Sequence, residues 1–98
     1  MTKQEYLLSL LCEECAEVTQ RATKIQRFGL DEIQSGQLLD NKTRLEYEIM
    51  DLISIISLLQ HEGIIPKFSE DVLMACVKTK KSKVSNWMEY SKKMGTLE

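Results

Sequence analysis

Residues 10–18 read LLCEECAEV, and this stretch decides how the chain folds. Leu7, Leu11, Val18 and Ile25 recur at the three- and four-residue steps of one helical face, so the segment is the middle of a long amphipathic helix. The row through them is 7, 11, 14, 18, 21, 25, and its two polar members are Glu14 and Arg21. Carboxylates on a core-facing row cost free energy unless something pairs with them. Thr2 followed by Glu5 is a capping-box pattern that opens this helix, and Gly29 is a natural stop.

Downstream, GLDEIQSGQLLD (29–40) holds two glycines and turn formers, which reads as a loop or lid with a short helical turn around Asp31 to Gln34. A second helix starts near Asp40 or Asn41, and its row is Leu45, Glu48, Leu52, Ile55, Leu59. One carboxylate again occupies a core step, with Asp51 three residues after it on the adjoining ridge. LISIISLL (52–59) is apolar on nearly every side, which in so short a chain implies a partner subunit. Pro66 then breaks the chain. Ser69 is the expected N-cap of a third helix, with Phe68 and Leu73 as its hydrophobic staple. Its apolar row is Leu73, Val77, Val84, Trp87, interrupted by Lys80 and Lys83. The expectation is an all-α chain of three main helices, about 2–28, 41–62 and 69–94, forming an oligomeric bundle from a single domain, 1–98.

Composition bounds the function. At 98 residues, 43% hydrophobic and 29% charged, the chain is an ordinary small globular domain. A formal net charge of −2 gives no basic field, so binding to a nucleic acid polymer is not expected. No apolar run approaches a bilayer span and no signal-peptide pattern is present, so a soluble cytoplasmic protein is the expectation. Three cysteines fit a reducing compartment. Cys12 and Cys15 form a C-x-x-C outside any βαβ context, and with Cys76 they read as small buried hydrophobes. His61, the single histidine, falls at the end of an apolar helix, where interaction with the helix dipole is the expectation.

The charged interruptions have two readings. Singly, each could be a rim residue with a wet head group; Glu17 and Arg21 could form an intrahelical pair, and KTKKSK (78–83) could be a solvated run. Together, Glu14 and Glu17 are i, i+3 on one helix, and Glu48 and Asp51 are i, i+3 on another. If both rows face one core, four carboxylates converge, and mutual repulsion would force some to protonate unless a cation joins them. Oxygen-only ligation without histidine suits Mg²⁺ or Mn²⁺, and magnesium commonly shares itself with substrate phosphates. A di-iron bundle would need Glu-x-x-His, which is absent. Arg21 and Lys24 continue the face bearing Glu14 and Glu17, and with Lys80 and Lys83 they suit a triphosphate.

EECAE (13–17) followed by EIMD (48–51) resembles the E-E-x-x-E … E-x-x-D signature of MazG-like nucleotide pyrophosphohydrolases, the all-α NTP pyrophosphatase superfamily. RFGLDEI and DNKTRLEYEIMDLISII are similar to the connecting loop and second-helix entry of short single-domain members, phage-encoded ones included. The tail KTKKSKVSNWMEYSKKMGTL is similar to their basic third helix. The resemblance spans nearly the whole chain. It implies hydrolysis of (deoxy)nucleoside triphosphates to monophosphate and pyrophosphate. It further implies Mg²⁺ held by Glu14, Glu17, Glu48 and Asp51, with Glu13 or Glu17 as general base. Lys24, Lys80 and Lys83 would then hold phosphate oxygens, and the active form would be a homodimer or homotetramer. The stretch from Val18 to Tyr47 is longer than in the most compact relatives, which bears on nucleotide selection. The competing functions are a catalytically silent nucleotide-binding module and a purely structural bundle.

Overall fold

A computed structural model describes all residues, 1–98, as an all-helical chain without strands. The helices are α1 (Lys3–Phe28), α2 (Asn41–His61) and α3 (Glu70–Lys93). Their limits follow from local chemistry. The Thr2 side chain accepts from Glu5 N at 3.1 Å while Glu5 returns a carboxylate to Thr2 N at 3.2 Å, closing the capping box. Asp40 caps α2 by accepting from Thr43 N at 2.9 Å, and Ser69 caps α3. At the far end of α2, Gly63 takes φ 71°, and the amides of Gly63 and Ile64 return to the carbonyls of Gln60 and Leu59. That is a Schellman stop, and it needs a residue without a Cβ at the left-handed position. His61 lies in the last turn of α2, where its positive form would meet the negative end of the helix dipole.

The chain divides into two compact units, Met1–Pro66 and Lys67–Glu98. The first is a hairpin of α1 and α2. Lys3 near its open end pairs with Glu62 at 2.8 Å, and Arg21 meets Asn41 near its closed end, so the helices run antiparallel. The row 7, 11, 14, 18, 21, 25 is withdrawn from solvent, as is 45, 48, 52, 55, 59 on α2. Leu7 and Leu59 are the only buried apolar side chains, and of these only Leu59, 0% exposed, is fully buried. The second stripe of α2 stays open, with Ile49, Met50 and Ile53 each 40% exposed or more.

The 29–40 segment has no helical turn at 31–34; a tight turn at Ser35–Gly36, closed by Gln37 N to Gln34 O at 2.9 Å, takes its place. It is also tied down. Asn41 N and Lys42 N donate to the carbonyls of Glu32 and Leu30 at 3.0 Å, Lys42 pairs with Asp31, and Arg44 donates to Gln34. The first turn of α2 thus consumes the loop's polar groups.

The second unit is one helix with its flanks. α3 carries six lysines against three acids and contributes no buried side chain; Trp87, expected on its apolar row, is exposed and meets Tyr90 edge-on at 5.6 Å. Phe68 and Leu73 border one shallow apolar surface with Val72 and Cys76, as a staple would. No helix of the chain is long and apolar enough to cross a membrane.

Candidate metal centre

The antiparallel hairpin sets two i, i+3 acid pairs against each other. One ligand oxygen from each of Glu14, Glu17, Glu48 and Asp51 can be chosen so that all lie within 4.8 Å of one another. The first three residues are half-buried and Asp51 is exposed, so the cluster opens to solvent on one side. Helical phase produces this. Glu14 and Glu48 sit on the two inward rows, and Glu17 and Asp51 follow one turn later on the adjoining ridge.

The electrostatics are those of an unneutralised anionic site. Desolvation pushes the Glu14 carboxyl above its usual range, and the charges of Glu17 and Asp51 push it the same way. Glu17 is raised chiefly by its hydrogen bond to Glu48, then by desolvation and by the Glu48 charge. None of the four takes part in an ion pair, since the chain's ion pairs are Lys3–Glu62, Lys42–Asp31, Lys42–Asp40 and Lys92–Glu89. One carboxylate oxygen, Glu14 Oε2, is buried and has no hydrogen-bond partner. A buried acceptor without a donor, set among three other carboxylates, fits a site for a cation.

The donor set fits a hard divalent ion. Oxygens bound to Mg²⁺ at about 2.1 Å stand no more than about 4.2 Å apart across the ion. A cluster whose ligand oxygens lie within 4.8 Å of one another is close to that span. No histidine or thiolate joins the set, which selects against zinc.

The other expected site residues are placed as follows. Glu13 is exposed on α1, outside the four, yet its charge contributes to the raised carboxyls of Glu14 and Glu17. Lys24 is half-buried on α1, two helical turns beyond Glu17, and forms no ion pair. Lys80 and Lys83 belong to the second unit, exposed on α3 beside Cys76 and Thr79. The expected Glu17–Arg21 pair is absent. Arg21 turns instead to Asn41, donating from Nη1 to Oδ1 at 3.4 Å, and its Nε is buried without a partner. All three cysteines are free and exposed, contrary to the packing role expected of them. The α1–α2 seam is filled by the row through Leu7, Leu11 and Val18, and neither Cys12 nor Cys15 is on it.

Asn41 was not singled out by its residue type, and it is 1% exposed. The signal was in the spacing: the α2 row Leu45, Glu48, Leu52 extended back one step lands on position 41. Comparisons of the chain with protein-family models, with curated proteins and with solved structures found no match.

Proposed function

We propose that the chain is a Mg²⁺-dependent nucleoside triphosphate pyrophosphohydrolase of the MazG-like kind, working as a cytoplasmic homodimer or homotetramer on non-canonical or surplus nucleotides. The observation that carries this is the meeting of Glu14, Glu17, Glu48 and Asp51 across one helix hairpin with no cationic side chain to balance them. The order of the two half-motifs in the sequence adds the reaction class.

The four carboxylates would hold Mg²⁺ or Mn²⁺. When bound, the ion supplies neutralisation of phosphate charge and a more acidic water. The chain does the rest. Glu17, or Glu13 one turn before it, would accept the proton of the attacking water. Cleavage of the α–β phosphoanhydride then releases monophosphate and pyrophosphate. Lys24, Lys80 and Lys83 are the cations assigned to phosphate oxygens.

Oligomerisation is supported by the thin core. With two buried apolar side chains, the first unit and its open stripe Ile49, Met50, Ile53 on α2 call for further burial to offset chain entropy. Within the first unit no lysine or arginine pairs with the acid cluster.

The test is incubation with a panel of nucleoside triphosphates and Mg²⁺. Pyrophosphate release is the expected result. No turnover on any member, with Mg²⁺ and a non-hydrolysable triphosphate still raising thermal stability, would instead identify a silent nucleotide-binding module.

A further inference from the structure

A second polar cluster lies on the same seam as the acids. Arg21 is 5% exposed and Asn41 1% exposed, and they are the only buried polar residues of the chain. Asn41 uses its whole side chain: Oδ1 accepts from Arg21 at 3.4 Å, and Nδ2 donates to Gly29 O at 2.9 Å and Glu32 Oε1 at 3.2 Å. Arg21 is seven residues after Glu14, and Asn41 is seven before Glu48. The Arg21–Asn41 contact and the Glu14–Glu48 step therefore belong to one antiparallel register, two turns or about 10.5 Å apart.

Apart from the loop's ties to the first turn of α2 and the exposed Lys3–Glu62 pair, nothing else along the seam selects that register. Its remaining steps are Leu, Val and Ile on both helices, and apolar burial is non-directional, so a slip of one turn sets aliphatic against aliphatic again. The acid cluster opposes the observed register, because it brings four like charges together. A buried polar contact is different. A slipped register would strand the buried Arg21 guanidinium and the Asn41 Oδ1 that accepts from it, and this is how a lone buried asparagine fixes register in coiled coils.

We propose that Arg21 and Asn41 are positioning residues: their buried contact fixes the register of α1 on α2 that brings Glu14 and Glu17 to Glu48 and Asp51. The proposal rests on reading those four carboxylates as a metal site. They act through the helix pair and touch neither ion nor substrate.

The experiment replaces both partners by apolar residues of similar size, Arg21→Met with Asn41→Leu, and takes two readings. The first is Mn²⁺ affinity, read from the spectrum of free Mn²⁺. A loss of about 10–100-fold is expected, the range found for residues that orient metal ligands, with helicity retained and Tm unchanged or higher. A merely structural role would lower Tm and leave the affinity of the folded fraction unaltered. The second uses no metal: spin labels at Gln4 on α1 and Glu46 on α2, both exposed and well separated along the hairpin axis so that a slip changes their distance almost one for one, in a background with the three cysteines changed to serine and diluted with unlabelled chains. The parent should give one distance distribution, and the double variant a second population displaced by about one turn, 5.4 Å. An unchanged distribution, or parental Mn²⁺ affinity in the double variant, overturns the proposal. If the double variant does not fold, Asn41→Ala gives the same two readings. If the parent itself binds no Mn²⁺, the metal reading falls while the distance distribution still decides the positioning role.

Discussion

Glu48→Gln should invert its effect on stability according to whether metal is present. In the cluster of four carboxylates there are six like-charge pairs, and removing the Glu48 charge leaves three. It also replaces the carboxylate that raises Glu17 most strongly by a neutral amide able to donate to it. Without divalent ions at pH 8, the variant should therefore melt above the parent. With Mg²⁺ the order should reverse. A ligand at a hundred times its dissociation constant stabilises a fold by about 2.7 kcal/mol, which is roughly 10–20 °C in Tm for a domain of this size. Losing one of four ligands and about tenfold in affinity leaves roughly half of that gain. The assay is thermal unfolding followed by circular dichroism, with chelator and across a Mg²⁺ titration. The reasoning is refuted if the variant melts below the parent in chelator, or if Mg²⁺ shifts both by the same amount.

Other outcomes follow from the same structure. Without metal, stability should peak in mildly acid solution. The raised carboxyls of Glu14 and Glu17 contribute stability that is full below the ordinary carboxylate pKa and is lost as pH rises through their folded values. Glu62, lowered by its hydrogen bond and charge pair with Lys3, contributes stability that is lost as pH falls through its folded value. Urea midpoints against pH would show the peak, and saturating Mg²⁺ should flatten its alkaline side. Leu59→Ala, at a site with no solvent exposure, should cost about 2–5 kcal/mol by denaturant titration. Thr2→Ala should cost about 1 kcal/mol through loss of the α1 cap, with metal affinity unchanged. If the open α2 stripe joins copies of the chain as proposed, Ile53→Glu, at a position 58% exposed in the single chain, should lower the mass measured by light scattering during gel filtration.

Much of the hairpin was legible in the sequence because it is written in spacing. Rows at three- and four-residue steps located the inward faces of α1 and α2, and Thr2, Asp40 and Ser69 fixed helix starts to within a residue. The convergence of the two acid pairs followed from those rows alone. Tertiary partners were less legible. Glu17 and Arg21 are correctly spaced for an ion pair, but the guanidinium is drawn to a buried carboxamide twenty positions away. The cysteines follow an apolar residue type, whereas their positions lie off the seam. Composition suggests a helical turn at 31–34, but Glu32 O accepts from Asn41 N at the start of α2 and Gln34 O from Gln37 N in the following turn. The α3 row has the same periodicity as the other two, yet its side chains are uncovered, since periodicity names a face without naming what covers it.

The most direct measurement is the phosphorus-31 spectrum of a turned-over nucleoside triphosphate incubated with the protein and Mg²⁺. The expected spectrum shows nucleoside monophosphate and pyrophosphate in equal amounts, absent with chelator and absent with Glu48→Gln. Nucleoside diphosphate with orthophosphate, or the same products from Glu48→Gln, would contradict the four-carboxylate pyrophosphohydrolase.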